Sequence, residues 1–572
     1  ATVWTKVFLW PLHVDSPPHQ PSLTTSYVNG TSSTPLLPLT MSQCLDATVQ
    51  RWPDREALVL QQDGIRKTFA QFQRDVAAGL LALGLEKGDR LGIWGPNIYE
   101  WILFQFATAK AGIIMVSLNP AYQLNEVEFT LQKVTCKAVL CPTSFKTQNY
   151  CEMLREICPE ISTAAGGLIQ SSRLPDLRMV IVTDSRQPGM LHIDDVLQAG
   201  ESRHVKELQE LQSKLTAGDP INIQFTSGTT GKPKGATLSH LNIVNNSNCT
   251  FCVRQPEVRV CLSVPMYHCF GSVLGGLCMA VHGVTLVFPS PGFDGRRSLE
   301  AIQNEKCTVV YGTPTMFTDM LGQQEANRYD LSSLEAGVMA GSPCPPAIMR
   351  KIKTVMKFEE MTIGYGTTEN SPVTFLGFPN DNEELKVNTV GCIMPHTEAK
   401  VVDPATGETV PLGASGELLI RGPCVMLGYW DEPQKTRDVI SQDLWYSTGD
   451  TASLNDLGYC RIEGRMKDMI IRGGENIYPA EIEEFLYKHP KVQEVQVVGV
   501  KDERLGEQVC ACIRLKDGQT SSTEEIRAFC KGQISHFKIP QYVMFVDSYP
   551  LTVSGKIKKN ELKEAMEKKL GL

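Results

Sequence analysis

At 572 residues the chain is longer than one compact core normally organises, so at least two domains are expected. Hydrophobic residues make up 42% and charged residues 21%, the profile of an ordinary globular enzyme, while a net charge of −8 without a long Lys/Arg run argues against nucleic acid as a partner. Its 18 cysteines lack the dense spacing of a disulfide scaffold, Cys249 and Cys252 have no second pair at zinc-like spacing, and no apolar run is long enough to span a bilayer.

Residues 1–40 are rich in Pro, Ser and Thr, with no Arg before Arg51, unlike an Arg-rich amphipathic presequence. They read as a poorly structured N-terminal segment. From Met41 the pattern becomes regular. Phe69, Phe72, Val76, Leu80 and Leu83 recur at helical spacing between a capping Thr68 and a stopping Gly84. Strand-like Leu91 to Trp94, a helix from Glu100 to Lys110 and strand-like Ile113 to Ser117 then make a parallel βαβ unit.

The alternation continues through apolar runs at Ala138–Cys141, Ile221–Phe225, Val258–Val264, Val284–Phe288, Thr308–Tyr311, Gly337–Ala340 and Thr362–Tyr365. Most end in Gly, Pro, Ser or Thr, and ligands of open α/β sheets bind at such strand ends. The expected fold class is therefore α/β: a large body with mostly parallel sheets over residues 41–464. After Gly464 the runs Val492 to Val500, Val509 to Leu515 and Tyr542 to Val546, with a helix from Thr523 to Ile534, predict a small α+β domain over residues 465–572.

The most informative stretch is Thr226-Ser227-Gly228-Thr229-Thr230-Gly231-Lys232-Pro233-Lys234-Gly235, directly after the apolar run Ile221–Phe225. Glycines bring backbone N–H groups close to an anion, hydroxyls add donors and two lysines add positive charge, a composition suited to polyphosphate. A P-loop is excluded, because Pro233 stands where Ser or Thr should follow Gly231-Lys232 to open a helix. No G-x-G-x-x-G follows a strand, so a dinucleotide is unsupported.

This loop resembles the phosphate-binding signature of the adenylate-forming enzymes, which include the acyl-CoA synthetases. Further motifs of that family follow in order: Tyr365-Gly366-Thr367-Thr368-Glu369, Gly416-Glu417-Leu418 through Arg421-Gly422, Ser447-Thr448-Gly449-Asp450, Gly464-Arg465-Met466-Lys467-Asp468 and Pro550-Leu551-Thr552-Val553-Ser554-Gly555-Lys556. The resemblance spans Met41 to the C-terminus. It implies a two-step ligase: a small carboxylic acid and ATP give an acyl-adenylate, which the thiol of coenzyme A then attacks.

The same resemblance implies site residues, each with a chemical reason. Residues 226–234 would grip the β- and γ-phosphates, and Glu369, beside Thr367, would associate with Mg²⁺, a hard cation that seeks oxygen. Gly341-Ser342 and Tyr365 would flank the adenine. Asp450 would accept hydrogen bonds from the ribose hydroxyls, with Arg465 a second ribose or phosphate contact. Lys556 would stabilise the charge that builds as a carboxylate attacks the α-phosphate. In the second step the C-terminal domain would swing about Lys467, exposing a pantetheine path along Gly473-Gly474.

His268, within Val264 to Gly271, aligns near the acyl carbonyl, and Gly275, Gly276 and Met316-Phe317 would wall an apolar acyl site. Stretches such as Pro120 to Gln123, Asn242 to Asn246 and Arg472 to Pro479 resemble a vertebrate branch of the family acting on medium-chain acids in the mitochondrial matrix. A luciferase-like oxygenase and a catalytically silent acyl-binding scaffold are the alternatives. The intact Glu369, Asp450, Arg465 and Lys556 argue against the scaffold.

Overall fold

A computed structural model describes residues 12–72, 76–226, 233–250, 257–358, 360–472, 475–534, 536–552 and 556–572. The βαβ unit read from the sequence is its nucleus. Strands Arg90–Trp94 and Ile114–Leu118 pair in parallel, joined by helix Tyr99–Lys110, in which Trp101, Ile102, Phe104 and Ala109 are fully buried. A parallel connection requires such a crossover, and a helix apolar nearly all round belongs between layers.

Around that unit an eight-stranded sheet runs in the order Leu191–His192, Met179–Val182, Ala138–Cys141, Arg90–Trp94, Ile114–Leu118, Pro220–Thr226, all parallel, with Lys234–Ser239 and Gly428–Tyr429 added antiparallel. A nine-stranded sheet faces it. Its parallel centre runs from Glu360–Gly366 through Ala336–Met339, Val309–Gly312, Arg259–Leu262 and Thr285–Phe288 to Glu56–Leu60. One apolar core containing Leu91, Trp101, Val260 and Leu286 joins the two sheets and the helices between them. The runs expected as strands are strands, and the Thr68 cap is present, its hydroxyl accepting from Gln71 N at 3.3 Å.

A third, mostly antiparallel sheet of six strands carries Gly416–Arg421, Tyr446–Leu454 and Cys460–Arg465. It also corrects the reading of the first 40 residues. Within the described part, Leu12–His13 and Tyr27–Thr31 are strands of this sheet, Tyr27 to Asn29 pairing with Lys400 to Glu398, and Val28 is buried.

Beyond Arg465 the chain forms a separate five-stranded sheet around the long hairpin Val492–Asp502 and Gly506–Leu515, flanked by helices Pro479–Leu486, Thr523–Cys530 and Lys559–Leu570. The helix expected to reach Ile534 stops at Cys530. Gly532 takes φ +76°, and the amides of Gln533 and Ile534 turn back to the Cys530 carbonyl.

Candidate active site

Parallel register sets the site. Gly312 lies beside Met339, and Met339 beside Ile363, so the loops after these three strands emerge together. Opposite them stands the C-terminal unit, across a cleft of about 1070 Å³ whose lining includes Gly341, Ser342, Tyr365, Asp450, Arg465 and Lys556. Six residues expected at the site, drawn from five segments of the chain, thus share one cavity.

Asp450 sits opposite Arg465 in the pairing of Tyr446–Leu454 with Cys460–Arg465, beside a bulge at Gly464, whose φ is +147°. A bulge re-aims its neighbour, and a residue with a side chain is strained at that φ. Arg465 Nε lies 2.9 Å from Asp450 Oδ1, and the Tyr365 hydroxyl donates to Oδ2 at 2.5 Å. The carboxylate is almost fully buried, and its backbone amide is held by Thr448 Oγ1 at 3.1 Å. Burial pushes its pKa above the ordinary value, with Arg465 and Tyr365 opposing.

Glu369 occupies a short 3₁₀ turn, Thr368–Asn370, after strand Glu360–Gly366. Its carbonyl accepts from Met426 N at 2.8 Å, and its Oε1 accepts from the Tyr429 hydroxyl at 2.7 Å. That phenol oxygen in turn accepts from Lys234 Nζ at 3.1 Å, with the ammonium 4.2 Å from the ring centre. Thr367 Oγ1 lies 3.5 Å from the Tyr446 hydroxyl. Among the described residues no group of three or more His, Cys, Asp or Glu is arranged to hold a metal.

Lys556 comes from the opposite unit. Its amide donates to Thr552 Oγ1 at 3.0 Å and its carbonyl accepts from Thr552 N at 2.7 Å, which fixes Lys556 just before helix Lys559–Leu570. The side chain crosses to the N-terminal body, where a Cβ on Gly341 would stand 3.7 Å from Lys556 Cε. Gly341 has φ +93°, which a residue with a side chain rarely adopts. The amine is open to solvent along the cleft but ringed by protein. Desolvation, then Arg465, lowers its pKa below the usual lysine value, while Glu369 and Asp450 oppose. One ammonium thus feels both carboxylates.

His268 opens the short helix Cys269–Gly271, its ring centre 4.4 Å from that of Tyr267. Burial, with Lys556 adding to it, holds its pKa at about 3, so the imidazole is neutral. Gly275 and Gly276 sit where side chains would not fit. A Cβ at Gly275 would come within 2.5 Å of Leu262, and one at Gly276 within 2.6 Å of Gln105 Oε1, so both serve close packing. Lys467 lies in the turn Met466–Asp468 joining the body to the C-terminal unit.

Thr226, Pro233 and Lys234 are described, with Thr226 paired to Lys234. Ser227, Gly228, Thr229, Thr230, Gly231, Lys232, Gly473 and Gly474 lie outside the described residues, as does Cys252. Two site residues escaped the sequence reading. Tyr429 is 60 positions from the carboxylate it touches and carries no local signal. Tyr446 directly precedes Ser447-Thr448-Gly449-Asp450, and that adjacency was the available clue.

Comparison with known proteins identifies the family. The model of the AMP-binding enzyme matches residues 45–430, and that of the AMP-binding enzyme C-terminal domain matches residues 481–556. A Danio rerio protein named mitochondrial medium-chain acyl-CoA ligase ACSF2 is 66% identical over 569 residues, covering 98% of this chain and 94% of that protein. The Homo sapiens protein of the same name is 56% identical over 557 residues, covering 96% and 91%. The anthranilate CoA ligase AuaEII, solved with anthranoyl-AMP, superposes with a TM-score of 0.81 at 25% identity, covering 94% of this chain and 99% of that one.

Proposed function

This chain belongs to the AMP-binding enzyme family, and from that premise we propose that it is an ATP-dependent ligase joining medium-chain fatty acids to coenzyme A in the mitochondrial matrix. The acid's carboxylate attacks the α-phosphate of ATP, forming the acyl-adenylate and releasing pyrophosphate. The thiol of coenzyme A then attacks the adenylate carbonyl, giving acyl-CoA and AMP. Chain length and compartment rest on the names of relatives 66% and 56% identical to this chain.

The observation that carries the reading is Lys556, whose amine reaches from the C-terminal unit into the cleft that Asp450 lines and feels the charge of both Asp450 and Glu369. Attack on phosphorus gathers negative charge between nucleophile and leaving group, and an ammonium held in place stabilises it without reorganising. Buried Asp450 offers acceptor lone pairs to the ribose hydroxyls, and Gly341, Ser342 and Tyr365 line the space beside it for the base. Residues 226–234 take the β- and γ-phosphates.

Glu369 would suit a magnesium ion that accompanies those phosphates: Oε1 is engaged by the neutral Tyr429 hydroxyl, and among the described residues no lysine or arginine forms an ion pair with this carboxylate. Magnesium is commonly held by one carboxylate plus substrate oxygens, and when bound it neutralises phosphate charge. Thr367, at the start of the same turn, and neutral His268 border the reacting end. For the second step the domain of residues 465–572 rotates on the body of residues 41–464 about Lys467. That motion withdraws Lys556 and opens the path along Gly473-Gly474.

The test is formation of AMP and acyl-CoA from ATP, coenzyme A and saturated acids of graded length. The reading expects a coenzyme-A-dependent signal peaking at medium length. No AMP with any acid, from folded protein that binds ATP, overturns it.

A further inference from the structure

We propose that Tyr429 is a positioning residue for adenylation, holding Lys234 and Glu369 apart while aiming both at the nucleotide. The inference rests on the ATP-dependent reading above and goes beyond it by giving a task to a residue outside the recognised motifs.

Its hydrogen bonds have a fixed direction. Lys234 Nζ donates to the phenol oxygen at 3.1 Å, and the phenol proton goes to Glu369 Oε1 at 2.7 Å. An ammonium can only donate and a carboxylate can only accept, so the phenol must accept from the lysine and give its own proton to the acid. A neutral group therefore stands between a lysine and a carboxylate that lie two hydrogen bonds apart. Opposite charges so close in a partly dry cleft attract strongly. Joined directly, they would neutralise each other, and ATP would have to break the pair before the lysine met phosphate or the carboxylate met a cation.

The backbone holds the spacer in place. Tyr429 pairs with Ala236, two residues beyond Lys234, in the antiparallel ladder of Gly428–Tyr429 with Lys234–Ser239. The Tyr429 amide donates to Thr436 Oγ1 at 2.9 Å, and three residues earlier the Met426 amide binds the Glu369 carbonyl at 2.8 Å. The segment is thus stitched to both residues it separates. Tyr429 is 5% exposed, and its ring carries the Lys234 ammonium 4.2 Å from its centre.

Tyr429→Phe keeps the ring and removes both hydrogen bonds. Equilibrium binding of ATP, titrated with Mg²⁺, is the direct readout. The expected result is binding weakened roughly tenfold or more, the scale of hydrogen bonds to charged groups, with half-saturation by Mg²⁺ moved upward. Release of pyrophosphate should slow in parallel, while transfer from supplied acyl-adenylate to coenzyme A keeps the wild-type rate. Tyr429→Leu, which also loses the ring, should bind ATP more weakly still. Wild-type ATP binding across the Mg²⁺ series in Tyr429→Phe overturns the proposal, and so does equal slowing of both half-reactions with a lowered melting temperature. A wild-type protein that binds ATP with Mg²⁺ yet activates no acid removes the ligase reading alone. Tyr429 is then judged on binding.

Discussion

The two buried carboxylates whose charge Lys556 feels are solved in opposite ways. Asp450 rests directly on a cation, with Arg465 Nε at 2.9 Å, whereas Glu369 is separated from Lys234 by the Tyr429 phenol. The difference follows from what each is proposed to hold. An acid that receives neutral hydroxyls loses little by leaning on an arginine, because a carboxylate has about four acceptor positions and two sugar hydroxyls fill only some of them. An acid that must hold a cation cannot be neutralised in advance. Its negative charge is the binding energy, so the built-in positive charge is kept one group away.

Lys556 spans both regions, and removing it tests whether they act as one site. Lys556→Ala should cut acyl-adenylate formation by roughly 10²–10³-fold, the scale of one preorganised charge stabiliser in a transition state. Coenzyme-A transfer from supplied adenylate should persist. Pyrophosphate release and thioester formation, measured separately, check it. Loss of both steps would mean that the residue holds the cleft together rather than serving the first step.

The next effect in size separates the two acids. Glu369→Gln should slow adenylation by about two orders of magnitude, by loss of the anionic cation ligand, and excess Mg²⁺ should recover part of it. Asp450→Asn keeps an acceptor oxygen and loses the partner of Arg465, so ATP binding should weaken about tenfold with the Mg²⁺ dependence unchanged. Arg465 is 46% exposed, so water takes over much of the lost pairing and the melting temperature should move little. A common Mg²⁺ response in both variants would erase the distinction between the two regions.

The Asp450 side was far more legible in the sequence than the Glu369 side, for a physical reason. Asp450, Thr448 and Arg465 lie in two adjacent strands, so short motifs carry the whole arrangement. The Glu369 side is assembled from Lys234, Glu369 and Tyr429 across the chain, and only the first two fall within motifs. The same limit appears in the fold. Arg90–Trp94 and Ile114–Leu118 announced themselves because a doubly covered parallel strand is one continuous apolar run. Tyr27–Thr31 did not, since as a strand of the third sheet its alternation is half-buried and its place is set by backbone pairing to Glu398–Val402. Small residues were ambiguous for a similar reason, because glycine beside a lumen and glycine beside Leu262 look alike until the neighbour is known.

The smallest effect concerns His268, and it sharpens the comparison by leaving all the charge chemistry to the acids, Arg465 and the lysines. With burial and Lys556 holding its pKa at about 3, the imidazole is uncharged from well below pH 5 upward, so it contributes no step to the rate near the usual histidine value. Lys556 behaves oppositely. Its protonated form does the work, and its pKa is lowered, so adenylation should fall as pH rises through that depressed value, earlier than an ordinary lysine would allow. His268→Gln should therefore change the adenylation rate by less than about tenfold, the scale of one neutral hydrogen bond, and leave the alkaline limb where it was. Pyrophosphate release recorded from pH 5 to 10 checks both statements. An acid limb near pH 6.5 that vanishes in His268→Gln would mean that this imidazole charges during the reaction, and that the charge chemistry is not confined to the acids, Arg465 and the lysines.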